Sequence, residues 1–320
     1  ENPFSNQKEK PKPEAPIEVR SINGAITTKA GYQIGANFTK LSTVSHLMSP
    51  VHSYTHRDAN HSTATAWQMN GVSSLGLAEG NQSKNASLGS IVSYAKGANR
   101  LDTGIPTYVK CDKIAHDANG YLSSTHTGFE ANESGIKNLQ ITTSGEQFIR
   151  RLQIVNDMES MSGRTDHYFK EWSNLRNQAA NIVKGQAAQA FNLKNEDEKT
   201  LLRYDVEKSR FGKSCLLAKR MVENNVKLIT IEHGGHDNHS DIKQAFESAR
   251  IAELDTHLTN LILDLQNNGR LNDTLIVVAT EFGRTYKLNS GNGLGAGRDH
   301  WNQLIPMLFC GPSQYHGKVI

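Results

Sequence analysis

The chain has 320 residues, enough for one large domain or two ordinary ones, and carries 35 Lys and Arg against 32 Asp and Glu for a formal net charge of +3. So small an excess, with no Lys/Arg stripe, argues against a nucleic-acid partner. No run approaches the roughly 18 apolar residues that a membrane-spanning helix needs. The hydrophobic share of 37% is modest, but the 26 Gly bring the composition close to that of a globular chain. Cys111, Cys215 and Cys310 are scattered and fit neither a C-x-x-C metal pattern nor a disulfide framework. The unusual count is 13 His.

In chain order, residues 1–16 are polar and Pro-bearing, show no twin-arginine or apolar secretion signal, and read as an extended arm. Short runs between Ile17 and Gly35 suggest short strands or loops. Residues 61–70 (HSTATAWQMN) predict a closely packed helix ended by Gly71. The Gly-, Ser- and Asn-rich stretch 76–145 predicts loops, with a short strand at 105–109. Beyond it, Phe148, Leu152, Val155 and Met158 recur at helical spacing and open a helical insertion over about 146–200. Residues 212–225 form an amphipathic helix, 226–231 (VKLITI) a buried strand, 241–268 one long helix with Leu254, Leu258, Leu261, Ile262 and Leu265 on one face, 274–279 (TLIVVA) a second strand and 305–309 (IPMLF) a third. Strand, long helix, strand is the pattern of a crossover unit with parallel strands. The expected fold class is therefore α/β, with a central, mainly parallel sheet flanked by helices.

In open α/β sheets ligands bind beyond the carboxyl ends of the strands. The charged loops stand there. After 226–231 comes Glu232-His233-Gly234-Gly235-His236-Asp237-Asn238-His239, in which imidazoles and a carboxylate are packed between glycines. His236, Asp237 and His239 are accordingly candidate ligands of zinc, manganese or iron. After 274–279 comes Glu281, a carboxylate that must be exposed, paired or metal-bound. Arg284 follows three residues later, with the fork geometry that suits phosphate or sulfate oxygens. The Gly-rich loop 291–297 precedes Arg298-Asp299-His300-Trp301, and it lacks the Gly-Lys-Ser/Thr element of a phosphate-binding P-loop. Upstream lies a second cluster of His46, His52, His56, Asp58 and His61. His46 and His52 read as surface residues. His61 and Ser62, at the start of the predicted helix, are candidates for contact with a reacting anion.

Three segments carry a family resemblance: 204–239, which contains HGGHDNH; 254–285, which contains EFGRT; and GRDHW at 297–301. They resemble, in order and spacing, a bacterial sulfatase-like family of unknown function in the alkaline phosphatase superfamily. Weaker similarity covers 11–71. The resemblance implies a doubly wound α/β sandwich in which Asp237, His239 and His300 bind one metal and Glu281 a second. It also implies cleavage of small phosphate or sulfate esters with a divalent cation, zinc first and manganese or calcium next. Arg284 or Arg298 would grip the anion, and Asn60, His61 and Ser62 compete for the nucleophile's place. Phe282 stands where phosphatases carry a ligating His. Residues 17–320 are read as a single such domain that lacks the family's first strand and its C-terminal end. Export to the periplasm or cell exterior is implied by the same likeness. The alternative from another class is a surface or assembly protein of this fold whose site has degraded. The convergence of Asp237, His239 and His300 separates the two.

Overall fold

The computed structural model describes residues 21–72, 84–137, 139, 144–184, 187–290 and 295–320. The expected polar arm at 1–16 and the first part of the Gly-rich loop, 291–294, lie outside the described residues. Along the chain come β1 (Ala25–Thr27), β2 (Gln33–Gly35), α1 (Thr39–Thr43), β3 (Met48–Val51) and α2 (His61–Asn70). Next are α3 (Leu88–Lys96), β4 (Tyr108–Lys110), β5 (Phe129–Glu130), α4 (Glu133–Lys137), α5 (Gly145–Ser162), α6 (His167–Lys184), α7 (Ala187–Phe191), α8 (Glu198–Arg203), α9 (Arg210–Glu223) and β6 (Leu228–Thr230). The last are α10 (Ile242–Phe246), α11 (Ala249–Asn267), β7 (Ile276–Ala279), β8 (Gly283–Arg284), β9 (His300–Trp301) and β10 (Met307–Cys310). Two compact units result, one of residues 1–68 with 233–320 and one of residues 69–232.

The unit of residues 69–232 holds a three-stranded parallel sheet in the order β5-β4-β6. Val109, Ile105, Phe191, Leu217, Met221 and Val226 form its buried core. Helix α9 presents Leu217 and Met221 to that core and starts at Ser209, whose hydroxyl accepts from the Gly212 N–H at 2.8 Å. The expected helical insertion is present as α5 to α8, but α5 buries none of its residues and leaves Val155 and Met158 exposed. Its inner side is tied to α6 by polar contacts, Ser173 to Glu159 at 3.0 Å and Arg176 to Asn156 at 2.7 Å.

The other unit contains the antiparallel sheet β3-β10-β7. Strand β3 carries Pro50, which a central strand would reject, and β3 stands at the edge of the sheet. On its open side the Ile320 amide donates to Pro50 O at 2.9 Å and the His52 amide to Ile320 O at 2.7 Å. The α/β class expected from the sequence is present, but of the central, mainly parallel sheet the described residues show only a small three-stranded part. Parallel pairing among the described residues is confined to β4, β5 and β6, while the strand at 276–279 pairs antiparallel with β10. The reason lies in the connection between β7 and β10. It carries the paired β8 and β9, and its described residues turn the chain back without a crossover helix. The long helix expected over 241–268 is also interrupted: Glu247 ends α10 and Ser248, in an extended conformation, precedes α11.

Helix α1 has no cap of its own, and α11 supplies one. Buried Asp255 accepts from the Lys40 amide at 3.0 Å and the Leu41 amide at 2.8 Å. Asp255→Ala strands both donors, and denaturant unfolding is expected to show a loss of about 2–3 kcal/mol.

The three cysteines are free and buried. Burial pushes the thiols of Cys111 and Cys310 up to about 12, with the neighbouring Asp112 adding to the effect at Cys111, and burial also raises that of Cys215 well above its usual value. A raised value keeps a thiol protonated at pH 8, and the thiol is not the nucleophile. A thiol-specific reagent at pH 8 is expected to modify none of the three in the native chain and all of them after denaturation.

Candidate metal centre

Three loops and one helix start meet in the unit of residues 1–68 with 233–320. The loop after β6 turns at Gly235, whose φ of +84° lies in the region that favours glycine. A Cβ there would also fall 2.2 Å from the Arg250 guanidinium, which donates to Gly235 O. Beyond the turn the side chains diverge. His236 Nε2 faces His233 Nδ1 at 2.8 Å, whereas Asp237 and His239 face the other way. His236, a candidate ligand on sequence grounds, is therefore turned to His233. Burial and the neighbouring His233 and Arg250 lower its pKa to about 4.

The β8–β9 register places Arg284 directly opposite His300. Both reach the same carboxylate oxygen: Arg284 Nη2 lies 2.5 Å and His300 Nε2 3.1 Å from Asp237 Oδ1. His239 Nε2 lies 3.0 Å from that oxygen and 2.9 Å from His300 Nε2. His61, the first residue of α2, completes the group with Nε2 3.0 Å from Asp237 Oδ2. One ligand atom each from His61, Asp237 and His300 falls within 4.8 Å of the others. Burial works to raise the Asp237 pKa, but hydrogen bonds from Arg284, His300 and His61 outweigh it and hold the carboxyl below the usual carboxylate range.

The far side of each imidazole is held as well. His61 Nδ1 meets Glu281 Oε1 at 2.7 Å, His239 Nδ1 meets Asp299 Oδ1 at 2.8 Å, and His300 Nδ1 meets the Ala59 carbonyl at 2.7 Å. A carbonyl or carboxylate only accepts, so each Nδ1 carries a proton, and a cation at the Asp237 carboxylate would take the Nε2 lone pair of each ring. His239 Nε2 and His300 Nε2 lie 2.9 Å apart beside that carboxylate, where a shared proton or a cation must join them. The donor set of imidazole nitrogens and one carboxylate is that of zinc and related divalent ions. The residues present thus fit a divalent cation. Phe282, buried, backs the group, with ring centroids 4.1 Å from His300 and 4.9 Å from His61.

Of the residues singled out in the sequence, Asp237, His239, His300, His61, Glu281 and Arg284 are brought together here. Arg298 contributes its backbone, accepting from Arg284 Nη1 at 3.2 Å and donating to Asn238 O at 3.1 Å, while burial lowers the pKa of its guanidinium. Ser62 follows His61 in α2, and its amide donates to Asn60 Oδ1 at 3.0 Å. His46 and His52 are exposed, as expected. Sequence reasoning passed over Asp299 and the Ala59 carbonyl. The available signal for Asp299 was its place next to His300 in an extended segment, where adjacent side chains face opposite ways.

Fold and site together define an α/β protein in which scattered imidazoles gather around one carboxylate. The chain belongs to a family described as a protein of unknown function, DUF1501, whose match covers residues 2–320. Comparison with curated proteins and with solved structures returned no match. No described helix is long and apolar enough to cross a membrane.

Proposed function

We propose that the chain is a metal-dependent hydrolase of small phosphate or sulfate esters. The observation that carries the reading is the aim of the Nε2 atoms of His61, His239 and His300 at the Asp237 carboxylate, each at 3.0–3.1 Å. These residues would hold one divalent cation, zinc before manganese or calcium. When bound, such an ion supplies Lewis acidity towards an ester oxygen.

The chain's own groups support the same chemistry. The Arg284 guanidinium is fixed between Asp237 and the Arg298 carbonyl, so its fork is oriented before any anion arrives. A bidentate donor in that position suits the paired oxygens of phosphate or sulfate. Phe282 closes one side with an apolar ring packed against His300. His61, one of the three residues that compete for the nucleophile's place in this reading, has its two nitrogens facing Asp237 and Glu281.

The test is elemental analysis of the purified protein combined with turnover of aryl phosphates and aryl sulfates. The expected result is one equivalent of zinc per chain and an activity that a chelator removes and zinc restores. A chain that retains no divalent cation and turns over neither ester class contradicts the proposal.

A further inference from the structure

We infer that Asp299 and Glu281 are positioning residues: each accepts the Nδ1 proton of one imidazole, His239 and His61 respectively, and so leaves Nε2 as the nitrogen that faces the cation. The inference rests on the cation reading of the site and goes beyond it, because it assigns the two carboxylates to the histidines and not to the ion.

The geometry around Asp299 is built for that task. Its Oδ1 accepts from His239 Nδ1 at 2.8 Å and from Asn289 Nδ2 at 2.9 Å. The same Asn289 amide nitrogen lies 2.9 Å from His239 O, so one side chain ties the His239 backbone to the acceptor of its ring. Asn289 Oδ1 in turn accepts from the Gly297 amide at 2.9 Å. The Asp299 backbone is pinned by Thr285, whose amide donates to Asp299 O at 2.9 Å and whose hydroxyl accepts from the Asp299 amide at 3.1 Å. Both ends of the Asp299–His239 contact are therefore fixed by groups that take no part in the cluster itself.

Glu281 serves His61 in the same way from another element. Its Oε1 lies 2.7 Å from His61 Nδ1, and its backbone carbonyl lies 2.6 Å from His56 Nε2. His56 is stacked on Trp67 of α2, with ring centroids 6.1 Å apart and planes 11° from parallel. Glu281 and the helix that carries His61 are thus held in register. The third imidazole, His300, uses the Ala59 carbonyl for the same purpose. Each of the three rings has an acceptor on Nδ1, which is the recurrent arrangement of histidine ligands whose tautomer and orientation are set from behind.

The test uses the full chain with zinc as the probe and two readouts. Titration calorimetry gives the zinc affinity and stoichiometry, and nitrogen-15 shifts of the imidazoles in the chelator-treated protein give the tautomers. Asp299→Ala and Glu281→Gln are expected to weaken zinc binding by roughly 10–100-fold while leaving the stoichiometry unchanged. They are also expected to shift His239 and His61, respectively, from a single Nδ1–H form to a mixture. Asp299→Glu is expected to restore part of both. A lower stoichiometry for Glu281→Gln overturns the inference, because it makes Glu281 a ligand. Unchanged affinity and unchanged shifts overturn it as well. Should the wild-type chain bind no zinc, the hydrolase reading fails while the tautomer shifts still decide the positioning role.

Discussion

Asp237→Ala is expected to abolish tight divalent-cation binding and, with it, ester hydrolysis. Asp237 is the one carboxylate that every nitrogen of the cluster faces: Arg284, His239 and His300 on one oxygen and His61 on the other, at 2.5–3.1 Å. Removing it leaves three imidazoles and a guanidinium facing each other with no anion between them. The loss of zinc affinity should exceed the roughly 10–100-fold that an outer-shell substitution costs. Calorimetry with zinc and a steady-state assay on an aryl phosphate check the two parts. Asp237→Asn is expected to fail equally, since its amide keeps the shape and loses the charge.

The same variant makes a prediction about stability in the cation-free protein. The Asp237 carboxyl is held below its usual range by its hydrogen bonds. A depressed carboxylate contributes stability that is present above the unfolded value of about 3.9 and is lost as the pH falls through the folded one. Wild type should therefore be the more stable at pH 7 in denaturant, and the gap to Asp237→Asn should narrow below about pH 4. A gap that widens in acid would show that the carboxylate is not stabilised by its neighbours.

Gly297→Ala carries the second large effect. A Cβ at Gly297 would lie 2.1 Å from the His239 carbonyl carbon, 2.2 Å from its oxygen and 2.4 Å from the Ser240 nitrogen. All three are backbone atoms and have no rotamer to yield. The peptide that carries His239 must move, and His239 then leaves both Asp237 and Asp299. Overpacking of this kind costs about 1–3 kcal/mol, and the displaced ring is expected to weaken zinc binding at least about tenfold. Gly269→Ala is the control. Its φ of +68° predicts strain, but nothing lies within 4 Å of the new Cβ. That variant should lose about 1 kcal/mol and keep its zinc affinity. Equal zinc affinity for both variants would show that close packing at Gly297 does not set the position of His239.

The glycines of the recognised motifs acquire a physical reason from this geometry. Gly297 of GRDHW lies against the His239 peptide, and Gly283 of EFGRT would place a Cβ 2.0 Å from Leu304 O. Neither requirement comes from positive φ, so neither could be read from local turn chemistry. Asp237, His239, Arg284 and His300 were legible because ionisable residues crowd where apolar runs end. His61 was legible only as the start of a small-residue helix. Its partner Glu281 lies 220 positions away, and nothing local to either residue announces the pair.

Strand direction was less legible than strand location. VKLITI and TLIVVA are alike as strings, and an apolar run carries no sign of which way its neighbour will run. The strand at 276–279 is antiparallel to β10 because the paired β8 and β9 intervene, and each of them has only two residues. So short a ladder leaves no alternation for a sequence pattern to detect. The break at Ser248 was hidden for a related reason. The apolar face of α11 continues the spacing of α10, and a single N-cap serine is easily absorbed into a longer period.

Crystals of the full chain soaked with zinc and measured at the zinc absorption edge test the central claim most directly. The account predicts one anomalous peak, bound by Asp237 and by Nε2 atoms of His61, His239 and His300, with Glu281 and Asp299 still on the far sides of their rings. A peak elsewhere, or imidazoles turned so that Nδ1 meets the ion, would contradict it.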